Sequence, residues 1–144
     1  MGGEVYLHQF KINAKEAHDG EIWHWHQDYR TWYEDDGMPE PTVLNATVFL
    51  DDVNEFNGPM MFVPGSHKDG RIDSDQTFER VPEYGRLSAD AVGSPYTNET
   101  INGLIEKNGI IAPKGVAGST IFFHGCTIHG SAPNMSPWGR AMVF

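Results

Sequence analysis

Two histidines and one aspartate have the types and spacing to hold a metal ion. His26 and Asp28 stand two residues apart, and in an extended strand that spacing points both side chains to the same side of a sheet. His129 lies far along the chain and must arrive on a neighbouring strand. Two imidazoles and one carboxylate are the ligand set of mononuclear non-haem iron(II) sites, which keep coordination positions open for small molecules.

The His-x-Asp pair alone is a weak signal in a chain with 7 histidines and 20 acidic residues, so the surrounding motifs matter. Those motifs come in a fixed order: Tyr-Arg-Thr-Trp at 29–32, Asp-Asp-Gly-Met-Pro at 35–39, Asn-Gly-Pro at 57–59, Pro-Gly-Ser-His at 64–67, His-Gly-Ser at 129–131, and Arg140. Together they resemble the phytanoyl-CoA dioxygenase family and are most similar to its ectoine hydroxylase branch. The resemblance covers the chain from about Val5 to its end.

The resemblance implies a cofactor, a co-substrate and a reaction. It implies iron(II) (Fe2+) held by His26, Asp28 and His129, and 2-oxoglutarate whose far carboxylate is gripped by the planar two-point fork of Arg140. Ser131 adds a hydroxyl donor. The implied activity is a dioxygenase that uses dioxygen to hydroxylate a small polar metabolite, ectoine-like or amino-acid-like, and releases succinate and CO2.

The same resemblance implies which residues form the rest of the pocket. Asn13 matches a co-substrate position, Gln9 and Trp32 match substrate positions, and Phe144 closes the far side. An indole face such as that of Trp32 is suited to holding a cationic group.

Three positions refine the expected reaction and substrate. Related halogenases carry a small residue where Asp28 stands, so the carboxylate favours hydroxylation over halogenation. The chain departs from the pattern at Asn45, where a small hydroxyl residue is usual, and at Met142, where a polar residue is usual. We therefore expect a small polar or zwitterionic substrate rather than ectoine in particular.

Size and composition indicate one domain, 1–144, without a nucleic-acid partner. A chain of 144 residues buries enough surface for a core, and its 16 glycines and 9 prolines favour a turn-rich β architecture. The net charge of -10 argues against a phosphate-binding surface. With a single cysteine, Cys126, and no apolar stretch of membrane-spanning length, we expect a cytoplasmic protein that does not enter a membrane.

Alternating and β-branched segments predict a mainly β fold. The metal strand, 22–28, carries Trp23 and Trp25 on the face opposite the histidines. Early and late strands fit a double-stranded β-helix, the jelly roll of the cupin type, which brings residues distant in sequence together at one mouth. The predicted strands are 5–13, 22–28, 42–50, 59–63, 110–112, 119–124, 127–129 and 138–144, with one helix at 99–107.

Two segments carry further expectations. The polar stretch 66–100 is long for a loop in a compact domain and is typical of a lid or of a mobile segment. Strand 5–13 has an apolar face with Tyr6 and Phe10 that needs a cover. Family members carry a helical segment before this point, so we expect a core fragment of a larger enzyme that lacks the flanking N-terminal helical segment.

Alternatives stay open at this point. His26 and Asp28 also fit a surface pair, His129 a core histidine bonded to a carbonyl, and Arg140 a surface ion pair. At the level of function, one alternative is a non-catalytic jelly-roll module that binds metal and a 2-oxo acid. Another is a structural domain in a homo-oligomer, in which a second copy covers the first strand.

Overall fold

A computed structural model describes residues 3–73 and 94–144 of the chain. Within these ranges, two antiparallel β-sheets account for most of the regular structure, accompanied by two α-helices and one 3-10 helix. The strands are β1 (Ile12–Lys15), β2 (Trp23–His26), β3 (Leu44–Phe49), β4 (Met60–Phe62), β5 (Thr120–His124), β6 (His129–Ser131) and β7 (Arg140–Val143), and the helices are α1 (Asp28–Asp35) and α2 (Asn98–Asn108).

Strands from opposite ends of the chain are neighbours in both sheets. One sheet has the order β1-β7-β3-β5 and the other β2-β6-β4, and each strand pair is antiparallel. This interleaving of early and late strands is the arrangement of a double-stranded β-helix. The mainly β jelly-roll class expected from the sequence is therefore confirmed.

The main apolar core lies between the two sheets. Phe49 and Phe123 enter it from the four-stranded sheet, and Met60 and Phe62 from the three-stranded sheet. The rings of Phe62 and Phe123 meet edge to face with centroids 5.0 Å apart. Full burial of each such side chain stabilises the fold by about 1.5 to 3 kcal/mol. This core therefore fixes the position of one sheet relative to the other.

The predicted metal strand 22–28 is too long, because β2 ends at His26 and helix α1 begins at Asp28. Between them the buried side chain of Gln27 donates to the carbonyls of Gly70 and Cys126 at 2.8 and 2.7 Å. These bonds fix the point at which the chain leaves the sheet. The sequence pattern does not predict this helix.

The predicted first strand 5–13 is also shifted, since β1 covers Ile12–Lys15. Its partner β7 pairs from Ile12 opposite Val143 to Lys15 opposite Arg140, and two further backbone bonds join Lys11 to Phe144. Before Lys11 the described chain has no strand partner, and Tyr6 is 77% exposed. The alternating sequence pattern thus extends beyond the part of the chain that pairs with β7.

The predicted polar loop 66–100 lies mostly outside the described residues, which omit 74–93. Its described ends contain a 3-10 helix at Ser66–Asp69 and the first residues of α2. The Thr97 hydroxyl caps α2 by accepting from the backbone N–H of Thr100. The helix predicted at 99–107 is present and is one residue longer at each end.

Another buried cluster packs helix α1 against the turn between β5 and β6. Tyr29 and Trp32, one helical turn apart, pack with Cys126, which is fully buried. Across the described ranges, no helix has the length and apolarity needed to cross a membrane.

Candidate metal centre

Three predicted ligands converge where β2, β6 and α1 meet. His26, at the end of β2, pairs in register with His129, at the start of β6. Asp28 follows as the first residue of α1 and lies with its Oδ1 3.5 Å from His26 Nε2 and its Oδ2 3.6 Å from His129 Nε2. One ligand atom from each residue lies within 4.8 Å of the other two. A surface pair and an isolated core histidine do not describe this arrangement.

The proton positions on both imidazoles follow from their backbone contacts. His26 Nδ1 lies 2.7 Å from the His24 carbonyl, and His129 Nδ1 lies 3.0 Å from the Thr127 carbonyl. A carbonyl only accepts, so each Nδ1 carries the proton and each Nε2 keeps its lone pair. Two lone pairs and a carboxylate therefore face one another. This donor set fits a divalent transition metal, since a cation between them removes the repulsion.

Charge and burial favour the protonation states of Asp28 and His129 that bind a metal. Burial alone would raise the pKa of Asp28, but the positive charge that His129 and His26 carry when protonated at low pH outweighs it and holds that pKa well below its usual range. Burial, reinforced by His26, lowers the pKa of His129 to about 4. At neutral pH the site thus holds an ionised carboxylate and a neutral His129, the forms that bind metals.

A bulge in β2 brings one residue into the site that the sequence pattern places elsewhere. Trp23 pairs with Ser131 and His26 with His129, so β2 has one more residue than β6 between these two pairs. Strict alternation is broken, and Trp23 lines the cavity beside His26. The expectation that Trp23 lies on the opposite face is wrong for this reason.

Arg140 is a buried cation with unused hydrogen-bond donors. It is 1% exposed, and its Nη1 lies 3.2 Å from Asn13 Oδ1 and 3.2 Å from Met142 Sδ. Its Nε and Nη2 have no partner among the described residues, and burial lowers its pKa to about 10. A buried guanidinium with two unused donors can bind an anion, and a carboxylate matches the planar two-point geometry of these donors.

The three donors and Arg140 share one cavity, with about 380 Å³ of empty space including the part open to solvent. Of the residues predicted from the sequence, Asn13, Ser131 and Phe144 also line it. Lys11 lines it as well, with its ammonium 5.3 Å from the ring centroid of Phe144.

Two predicted substrate residues lie away from this cavity. Trp32 is 6% exposed and packs in the cluster with Tyr29 and Cys126, and its ring and that of His8 form a T-shaped pair with centroids 5.4 Å apart. Because α1 turns Trp32 into this cluster, its indole is not part of the cavity wall. Gln9 is half-buried and is likewise absent from the described lining.

Comparison with known proteins gives a family match and close relatives. The model of the family described as phytanoyl-CoA dioxygenase matches residues 2–142. An ectoine dioxygenase from Bordetella parapertussis is 41% identical over 151 residues, which cover 100% of this chain and 46% of the relative. An L-proline trans-4-hydroxylase from Streptomyces griseoviridis is 35% identical and covers 99% of this chain and 54% of the relative.

Solved structures agree with the sequence relatives. The crystal structure of EctD from S. alaskensis with 2-oxoglutarate and 5-hydroxyectoine superposes with a TM-score of 0.78 at 32% identity, covering 99% of this chain and 43% of that one. The same enzyme with bound Fe gives a TM-score of 0.77 at 35% identity, with 99% and 44% covered. The chain spans about half the length of the curated relatives it matches. Its sequence, fold and family match together show that it belongs to the phytanoyl-CoA dioxygenase family.

Proposed function

We propose that this chain forms the catalytic core of an iron(II)- and 2-oxoglutarate-dependent dioxygenase that hydroxylates a small polar metabolite. The observation that carries this proposal is the content of one cavity. It contains two imidazoles and a carboxylate within 4.8 Å of one another, and it also contains a buried guanidinium with two nitrogens that have no partner among the described residues. The first group suits a metal and the second suits a carboxylate.

His26, Asp28 and His129 would hold the metal through their Nε2 and carboxylate oxygen atoms. When bound, iron(II) supplies the activation of dioxygen coupled to oxidative decarboxylation of a 2-oxo acid. The backbone carbonyls on both Nδ1 atoms keep the imidazoles in one tautomer and one orientation. Three protein ligands leave room at the metal for co-substrate and dioxygen together.

Arg140 would bind the far carboxylate of 2-oxoglutarate. Its Nε and Nη2 are the available donors of a planar fork, and Asn13 holds Nη1 from β1. Ser131, buried in the same wall, offers a hydroxyl. The overall reaction converts a substrate C–H, dioxygen and 2-oxoglutarate into the alcohol, succinate and CO2, which balances all atoms.

The substrate class comes from the relatives and from the cavity wall. The relatives are named for ectoine and for L-proline, both small molecules. Around the metal residues the wall combines the aromatic rings of Trp23 and Phe144 with the ammonium of Lys11. Such a wall suits a small polar or zwitterionic metabolite, and the Asp28 carboxylate supports hydroxylation rather than halogenation.

Metal binding followed by turnover tests the proposal. Anaerobic titration with Co2+, then with 2-oxoglutarate, is expected to show sequential binding, and Fe2+ with dioxygen is expected to yield succinate. Asp28→Ala should lower Co2+ affinity by more than about 100-fold, because outer-sphere partners alone are worth about 10- to 100-fold. Asp35→Ala, an exposed carboxylate on the same helix, is the matched control. Binding of both ligands without succinate would indicate the non-catalytic module, and failure to bind 2-oxoglutarate would refute the proposal.

A further inference from the structure

A side-chain amide reaches the Asp28 carboxylate from the other sheet. Asn45 lies on β3 of the four-stranded sheet, whereas Asp28 follows β2 of the three-stranded sheet. Asn45 Nδ2 donates to Asp28 Oδ2 at 3.1 Å. On β3 the alternation that points Asn45 inward also buries Thr47 and Phe49. The contact is therefore built into the sheet and does not depend on a flexible surface side chain.

The Asp28 carboxylate needs such a restraint. Rotation about the bond that carries a carboxylate is only weakly restricted by covalent geometry. In its neutral form neither neighbouring imidazole supplies a donor, because His26 and His129 direct their Nδ1 protons to backbone carbonyls. The Asn45 amide hence supplies a donor that the histidines do not. It is also neutral, so it engages one carboxylate oxygen without cancelling the charge that attracts a cation.

We propose that Asn45 is a positioning residue that orients the Asp28 carboxylate for metal binding, an inference that rests on the proposed function. The amide binds Oδ2, the oxygen that lies 3.6 Å from His129 Nε2, and thereby sets the carboxylate plane in which Oδ1 lies 3.5 Å from His26 Nε2. Hydrogen bonds to metal-binding carboxylates are worth about 10- to 100-fold in metal affinity. Asn45 acts through Asp28 and does not itself hold the metal.

Two substitutions separate positioning from packing. Asn45→Leu keeps a side chain of similar volume and removes the donor, whereas Asn45→Ala removes both. A positioning role predicts that both variants bind Co2+ at least about 10-fold more weakly, with a changed Co2+ visible absorption spectrum and an unchanged urea midpoint of the metal-free chain. Thr47→Val, on the same face of β3 and losing a buried hydroxyl that has no partner in the described structure, is expected to bind Co2+ like the wild type.

A positioning role, a packing role and the absence of a metal site predict different outcomes. If Asn45→Leu binds Co2+ with the affinity and spectrum of the wild type while Asn45→Ala does not, the side chain only fills space and the proposal is overturned. The proposal also fails if both variants match the wild type. If the wild type itself takes up no Co2+, the metal site and the proposed function fail, which is a different result from a silent Asn45 in a chain that binds metal.

Discussion

Asp28 Oδ1 lies 3.5 Å from His26 Nε2 although the two residues belong to different elements. His26 is the last residue of β2 and Asp28 is the first residue of α1. A carboxylate in the first turn of a helix is favoured by the partial positive charge of the helix N-terminus, by about 0.3 to 1 kcal/mol. The turn at Gln27 thus places Asp28 opposite the histidines and also favours its ionised form.

Arg140→Met is expected to separate stability from ligand binding. Removing a buried charge that has no carboxylate partner in the described structure should raise the unfolding free energy of the metal-free chain by about 1 to 3 kcal/mol. The same change should weaken 2-oxoglutarate binding by about 10- to 100-fold, because hydrogen bonds to charged groups contribute about 1.5 to 3 kcal/mol. Urea unfolding and calorimetric titration of the Co2+-loaded protein measure the two effects.

Arg140→Lys is the companion variant for that prediction. It keeps the charge but loses the planar fork, so we expect weaker 2-oxoglutarate binding without the gain in stability. Co2+ affinity should stay at the wild-type value in both variants. A variant that binds 2-oxoglutarate normally would contradict the role assigned to the guanidinium.

Residue types and spacing predict from the sequence most of what the site contains. Together with motifs that resemble those of one family, they single out His26, Asp28, His129 and Arg140 without knowledge of the fold, and the structure places these four residues around one cavity. The jelly-roll class follows from many short strands with ligands at both ends of the chain. These features depend on composition and order, which a sequence displays directly.

Local geometry is harder to predict, for physical reasons. The bulge that turns Trp23 into the cavity depends on pairing with β6, a strand remote in sequence. Helix α1 is only 8 residues long, and its N-cap, Gln27, makes no side-chain capping bond, so the usual start signal is missing. The direction of Trp32 is set by that helix, so its place in the cluster with Tyr29 could not be read from the sequence.

Acidification is expected to destabilise the metal-free chain through His129. Its pKa in the folded protein is about 4, while an unfolded histidine titrates near about 6.5. Between these values the unfolded chain binds the extra proton, so stability is fully present above the higher value and is lost as the pH falls towards the lower one. The loss approaches about 3 kcal/mol over this window. Urea unfolding with a chelator at a series of pH values measures it.

His129→Gln provides the reference for the pH experiment. The variant lacks the titrating imidazole, so its stability should fall less steeply over the same pH range, whatever its absolute value at neutral pH. The lowered pKa of Asp28 adds its own loss of stability only at lower pH, below the range used. If the stability of the two proteins falls equally steeply with pH, burial does not lower the pKa of His129.

Trp32→Phe should change stability and leave the metal centre intact. The indole is 6% exposed within the cluster of Tyr29 and Cys126, and removing buried atoms there leaves a cavity. We expect a loss of about 1 to 3 kcal/mol in unfolding free energy, below the about 3 to 5 kcal/mol typical of full truncation to alanine. Co2+ and 2-oxoglutarate affinities should stay unchanged. Weakened ligand binding with normal stability would instead support the pocket role predicted from the sequence.

Gly130→Ala should disturb the metal site by pushing β2 away from β6. Gly130 lies between two site residues on β6, and a Cβ there would stand 2.7 Å from the Trp23 carbonyl oxygen and 3.3 Å from the His24 carbonyl carbon. Both atoms are backbone of β2, so the methyl group must push the two strands apart. We expect a loss of about 1 to 3 kcal/mol in stability. Co2+ affinity should fall with it, because His26 and His129 face each other across this pairing.

Gly103→Ala is the control for the added methyl group. Gly103 lies within α2, and among the described residues nothing stands within 4 Å of the place that an added Cβ would take. Alanine there should raise the unfolding free energy by about 0.5 to 1 kcal/mol through helix propensity and leave Co2+ affinity unchanged. If Gly130→Ala instead binds Co2+ as tightly as Gly103→Ala, the spacing of β2 and β6 does not control the distance between the two imidazoles.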